Sequence, residues 1–157
     1  MQTTNNPING LEDTTVLNNA DLKILYDFYK AFNQRDLELM QKVWLNTGEA
    51  SMDNPIGGIR RGWDEIKQGY NKIFNGKAKV FVEFYDYSVH LTDNMFFVTG
   101  RERGYFKSDG EQIDLAIRTS RIFIKHEGCW KHIHHHGSIE DPALLKIYQQ
   151  AVLHQNV

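Results

Sequence analysis

Between Ala78 and Ile139 the chain reads as four long strands in unbroken succession, and no other feature constrains the fold as strongly. Three short turn sequences divide the stretch: Thr92-Asp93-Asn94, Ser108-Asp109-Gly110 and His126-Glu127-Gly128. Each is built from residues that suit the tight backbone of a hairpin. The predicted strands cover 78–91, 95–107, 111–125 and 129–139, well beyond the common strand length of about five or six residues. Consecutive hairpins of that length form an antiparallel meander that has to twist and curve. On the third strand Ile113, Leu115, Ile117 and Phe123 point to one face, while Ala116, Ile122 and Ile124 point to the other. A sheet that is apolar on both faces needs helices on one side and suits a second subunit on the other.

The first half of the chain supplies the helices. Asn18 or Asn19 can cap a helix in which Leu22, Leu25, Tyr26, Tyr29 and Phe32 recur at three- and four-residue steps. Asp36 caps a second, short helix with Leu37, Met40, Val43 and Trp44 on its buried stripe. An irregular stretch over 47–62 follows, with turns at Asn54-Pro55 and Gly57-Gly58 and a short strand over 50–53. The third helix spans 63–75: Asp64 and Glu65 sit at its positive end, Ile66, Tyr70, Ile73 and Phe74 share a face, and Gly76 stops it. Asp141-Pro142 begins a terminal helix from about 142 through Leu144, Leu145, Tyr148, Ala151 and Val152. Residues 1–17 are polar and read as an extended or mobile arm, and 18–157 as a single domain.

Composition bounds the partners. A formal net charge of −2 over 157 residues gives no general attraction to nucleic acid or to an anionic membrane. No apolar run approaches the ~20 residues of a membrane span, and the polar N-terminus does not resemble a secretory signal. Cys129 is the single cysteine, which suits a reducing compartment, and a cytoplasmic location is the expectation.

The hairpin 118–139 holds most of the residues with chemistry to offer. In a regular strand His132, His134 and His136 share one face with Trp130, a spacing by which strand histidines chelate a metal if a carboxylate such as Glu49 or Asp53 approaches. The competing expectation is that one or two of these histidines hydrogen-bond within a pocket or interface, with no cofactor required. Arg101, Arg103 and Tyr105 alternate along one face of a strand, as do Thr119, Arg121 and Phe123 on the next. Convergence of Arg101 and Arg121 would create a site for a carboxylate or phosphate. The alternative is pairing with Glu83, Glu102, Asp86 or Asp114 on the sheet surface, or exposure to solvent.

Taken together, the element order resembles the nuclear transport factor 2-like superfamily. YKAFNQRDLELM resembles its first-to-second helix junction, MDNPIGGIRRGWDEIKQGY its proline turn into the third helix, and SRIFIKHEGCWKHIHHHGS the final hairpin of its SnoaL-like and kinase-association branches. The resemblance spans roughly residues 20–140. It implies an α+β fold in which a curved antiparallel sheet wraps round three helices and leaves a cone-shaped pocket. In the ketosteroid isomerase branch a carboxylate before the turn proline is the general base, with a helix-1 tyrosine and a strand acid as oxyanion donors. Here Asn54 precedes Pro55, Phe28 sits near the tyrosine position and Ser120 near the strand acid, which argues against that mechanism. The association domain of calcium/calmodulin-dependent kinase II is similar over the last three strands. Its arginine-lined pocket maps to Arg101, with Tyr105 on the same face, and Arg121, and its His-x-His-x-Ser to His134, His136 and Ser138.

On this reading the cone binds a small anionic or polar-aromatic molecule. Arg101 and Arg121 anchor it, Tyr105, His134 and His136 donate hydrogen bonds, and Asn54 and Tyr70 complete the contacts. Turnover as a lyase, isomerase or cyclase would use Asp53, His134 or His136 as proton shuttle. The alternative is a non-catalytic assembly module related to the kinase association domain. Self-association is expected in either case, as a homodimer through the outer sheet face or, as the likeness to the ring-forming association domain implies, a higher oligomer.

Overall fold

A computed structural model describes residues 3–4, 6–13, 15 and 19–154. Asn18, one of the two expected caps, and several residues of the N-terminal arm lie outside them. Asn19 takes the capping role, its Oδ1 accepting from the Asp21 amide at the start of a short 3₁₀ turn that leads into α1, Lys23–Gln34. Helix α2, Leu37–Val43, starts where the Asp36 carboxylate accepts from the Leu39 amide at 2.9 Å. Helix α3 covers Gly62–Asn75, and Arg35, in the left-handed conformation after α1, donates to the carbonyls of Phe74, Gly76 and Ala78. That contact binds the end of α3 to the end of α1 and satisfies carbonyls that a helix terminus leaves unpaired.

The meander forms as the turns dictate: β4 Lys79–Leu91, β5 Met95–Ser108, β6 Glu111–His126 and β7 Cys129–Ser138, each antiparallel to the next. Short strands extend both ends of the sheet. On one side β1, Thr3–Thr4, pairs with Tyr87 and Ser88 of β4, and Ile8 exchanges two backbone hydrogen bonds with Phe84 while its side chain is buried. Part of the arm is therefore docked on the sheet edge of its own chain. On the other side β2, Ser51–Asp53, lies parallel to β7, and β3, Ile59–Arg61, pairs antiparallel with β2. Local sequence predicts the β2 strand but not its pairing, because the parallel partner is more than eighty residues away.

Two bulges bend the sheet. One falls between Tyr85 and Ser88, where Asp86 has positive φ, and the other lies opposite Ile122 and Phe123, where Ile133 is the extra residue. Gly100 opens the concave face: a Cβ there would lie 2.6 Å from Tyr87 and 2.9 Å from the Phe84 ring. The curved sheet wraps α1, α2 and α3, whose buried Leu25, Phe28, Met40, Trp44 and Ile66 fill the space between them. Each such side chain contributes about 1.5–3 kcal/mol on leaving water. Helix α4, Pro142–His154, lies along the open side of the cone, with Tyr148 edge-on to Phe106 at 5.3 Å and Gln149 donating to the Ile56 carbonyl. Among the described residues no helix is long and apolar enough to cross a membrane.

Candidate functional site

The strand phases decide which side chains enter the cone. On β5 the even-numbered residues Phe96, Val98, Glu102 and Phe106 are buried, and on β6 the odd-numbered Leu115, Ile117, Thr119, Arg121 and Phe123. Glu102 and Arg121 therefore meet inside, and both side chains are almost fully buried. Nη2 of Arg121 donates to Oε1 of Glu102 at 2.8 Å, and the Tyr29 hydroxyl donates to the same oxygen at 2.6 Å. Nε of Arg121 donates to the Tyr29 hydroxyl at 3.2 Å, and the guanidinium carbon lies 3.7 Å above the Phe28 ring. Burial opposes the charge on Arg121, but Tyr29 and Glu102 more than offset it and hold its pKa above the ordinary arginine value. Burial is also what raises Tyr29 well above the usual phenol range, against the pull of the Arg121 charge.

Glu102 and Arg121 of this triad border a cavity of about 770 Å³ and form its polar floor. Phe28, Tyr70, Leu115, Ile117 and Tyr148 line its walls, and Asn54 and Arg60 also border it. Burial raises the Tyr70 hydroxyl above the phenol range and pushes Tyr148 up to about 12, so both are neutral donors at physiological pH. Nη1 of Arg121, Nδ1 of His135 and Nε of Arg60, three buried nitrogens of residues bordering the same space, have no hydrogen-bond partner among the described residues.

The histidines do not share the single face expected of them. The bulge at Ile133 advances the strand by one residue, so that Phe123 pairs with His132 but Ile122 pairs with His134. His132 and His135 are buried on the concave side, whereas His134 and His136 face outward. His132 stacks on Phe123 at 4.7 Å and lies 4.0 Å from the Trp44 ring, deep in the core and apart from the other two members of the anticipated metal set. Burial, reinforced by the Arg121 charge, holds both His132 and His135 well below the ordinary histidine pKa. They are neutral imidazoles at pH 7.

Arg101 does not converge on Arg121. It projects from the outer face, 3.5 Å from Asp86 and 3.3 Å from Glu140, which also pairs with Arg118 at 3.2 Å. Tyr105 shares that outer face and stacks on Phe81 at 5.8 Å. Asp53 is likewise outside, with Oδ2 3.0 Å from Nδ1 of His136, while Ser51 Oγ lies 2.8 Å from Nδ1 of His134. Of the anticipated ligand contacts, Arg121, Asn54 and Tyr70 border the cone and Arg101, Tyr105, His134 and His136 do not. The residues missed are Glu102, Tyr29 and His135. The first was legible: Glu102 shares the phase of Phe96, Val98 and Phe106, while its neighbours Arg101 and Arg103 occupy the charged phase.

A three-helix cone closed by a four-strand meander is the nuclear transport factor 2-like architecture. Within it, the SnoaL-like domain model matches residues 22–142, and the chain belongs to that family. Similar solved structures share the fold at low identity. A candidate dehydratase of the NTF2-like family from Streptomyces avermitilis superposes with a TM-score of 0.65 at 20% identity, covering 78% of this chain and 98% of the other. A candidate ketosteroid isomerase from Shewanella frigidimarina gives 0.64 at 15% identity, covering 77% and 96%. A candidate calcium/calmodulin-dependent protein kinase II association domain from Xanthomonas campestris gives 0.63 at 17%, covering 78% and 86%. In sequence the chain is 27% identical over 148 residues to F-box protein SKIP8 of Arabidopsis thaliana, across 94% of this chain and 60% of that protein. The chain thus spans about 60% of that relative's length.

Proposed function

We propose that the protein binds a small anionic or polar-aromatic molecule in the cone, with Arg121 as the anchor. The observation that carries this reading is that three buried nitrogens bordering the cavity, Arg121 Nη1, His135 Nδ1 and Arg60 Nε, have no partner among the described residues, while Phe28, Tyr70, Leu115 and Ile117 line the walls beside them. Buried polar groups nearly always have a partner, and a guanidinium N–H can only donate. A ligand that brings a carboxylate, phenolate or carbonyl oxygen to that floor supplies what the protein leaves open. Aromatic and aliphatic walls accept the rest of the molecule. Turnover of such a ligand as a lyase, isomerase or cyclase would use His135 as the proton shuttle, because it is a neutral imidazole that borders the cone next to the Arg121 anchor. That role passes from Asp53, His134 and His136 to a residue inside the cone.

The test is ligand-induced thermal stabilisation with a panel of aromatic carboxylates, benzoate and cinnamate among them. Wild type should be stabilised by at least one member. The Glu102→Gln/Arg121→Met protein, which keeps the floor uncharged and packed, should bind that compound about 10- to 100-fold more weakly, as the loss of a charge-assisted hydrogen bond predicts. Equal stabilisation of the two proteins would rule out the Arg121 anchor.

The outer sheet face supports a second element of the reading, self-association as a homodimer. Phe81 stacks on Tyr105, His90 on Phe97 at 5.0 Å, and Arg103 lies 4.3 Å over Tyr85, all on the convex side. Aromatic rings with arginine are enriched where protein surfaces meet. Sedimentation should find a dimer in wild type and a monomer in Phe81→Glu/Phe97→Glu. A wild-type monomer at tens of micromolar would refute this assembly.

A further inference from the structure

The parallel pairing of β2 with β7 sets Ser51 opposite His134 and Asp53 opposite His136. Because the Ile133 bulge has turned the second half of β7 over, all four side chains stand on the outer surface, two from each strand. One ligand atom from each of Asp53, His134 and His136 lies within 4.8 Å of the others. Ser51 Oγ holds Nδ1 of His134 at 2.8 Å, which fixes the ring and leaves Nε2 as its ligating atom. Metal-binding imidazoles are generally oriented in this way, through the nitrogen that does not ligate.

We propose that Asp53, His134 and His136 bind a divalent first-row transition metal ion such as Zn²⁺. Two imidazoles and a carboxylate are a donor set such ions accept, at about 2.0–2.2 Å from the metal. The strands fix the three Cα positions, and the half-exposed His136 ring is free to rotate the remaining distance. A surface ion pair would account for the 3.0 Å contact between Asp53 and His136. It leaves unexplained why a second imidazole, held by its own serine, is aimed at the same patch. Sequence spacing suggested His132, His134 and His136 with a carboxylate such as Glu49 or Asp53; the fold buries His132 and leaves Asp53, His134 and His136 together. Three protein ligands leave coordination positions open. His136 also borders an outer groove of about 450 Å³ lined by Arg101, Arg118 and Asp86.

Titration calorimetry of the untagged full chain with Zn²⁺, together with the visible spectrum of the Co²⁺-loaded protein, tests this. One equivalent should bind. Asp53→Asn and His134→Gln should each weaken Zn²⁺ by more than about tenfold and abolish the Co²⁺ band. Ser51→Ala, which removes only the orienting contact, should cost on the order of tenfold in affinity. His126→Gln, at the tip of the β6–β7 turn, should bind as wild type does. Absence of stoichiometric Zn²⁺ binding, or an affinity unchanged in Asp53→Asn or Ser51→Ala, would overturn the site.

Discussion

Replacing Arg121 with methionine is expected to lower the unfolding free energy by about 3–5 kcal/mol, because it strands the Glu102 carboxylate in the core without its counter-charge. Arg121 and Glu102 are almost fully buried, their contact is 2.8 Å, and the Tyr29 hydroxyl donates to the same carboxylate oxygen. A domain of this size has a total stability of about 5–15 kcal/mol, so the single variant should be visibly crippled. The double variant Glu102→Gln/Arg121→Met tells stability apart from function. With both charges gone the desolvation cost goes too, and the double variant should recover most of the loss. Urea unfolding of wild type, both single variants and the double variant closes the cycle. If Arg121→Met lies within about 1 kcal/mol of wild type, the pair is better solvated than its burial indicates. The same double variant is the reagent for the ligand test, which is why recovery of its fold matters.

Acid should unfold this protein early, well before its carboxylates titrate. His132 and His135 have folded-state pKa values well below the ordinary histidine value, the result first of burial and then of the nearby Arg121 charge. In the unfolded chain both titrate near ~6.5. Below that pH the unfolded state binds protons that the folded state refuses, so stability falls as pH falls. The contribution is complete above the unfolded pKa and is lost progressively as pH drops from ~6.5 toward the depressed folded values. Each group adds a slope approaching ~1.4 kcal/mol per pH unit, and the two together ~2.7. Urea unfolding at pH 7.5, 6.0 and 5.0 measures it. His132→Phe keeps an aromatic ring against Phe123 and Trp44 and should roughly halve the slope. An identical slope in wild type and variant would show that His132 is protonated inside the folded protein or reached by water.

The contrast between the two ends of β7 shows where sequence reasoning stops. Alternation over 129–139 puts every second residue on a face, and Trp130 with His132 follows that rule. Ile133 breaks it. A bulge depends on how two strands fit across a curved sheet, and no residue in Lys131-His132-Ile133-His134 signals it locally. The cost of missing it is a complete exchange: His135 enters the cone, and His134 and His136 leave it. β5 is a different case. Its phase was available in Phe96, Val98 and Phe106, with small Gly100 and Gly104 between them, and that pattern already assigns Glu102 to the inside and Arg101 to the outside. Expecting Arg101 in the cone followed a likeness to a related domain over the chain's own alternation.

Sequence by itself determined the four helices, the strand over 50–53 and the four-strand meander, their order and the family they compose, because caps, turns and hydrophobic period act over fewer than about ten neighbouring residues; the edge strands β1 and β3 were not among them. It also placed Arg121 on the apolar phase of its strand. Tertiary structure alone decided what Arg121 meets, which histidines it stands beside, and that Asp53 lies against His136. Those facts depend on the curvature of the sheet, a one-residue bulge and a parallel strand pairing across some eighty residues. Each is fixed by the packing of the whole domain, so none leaves a local mark on the chain.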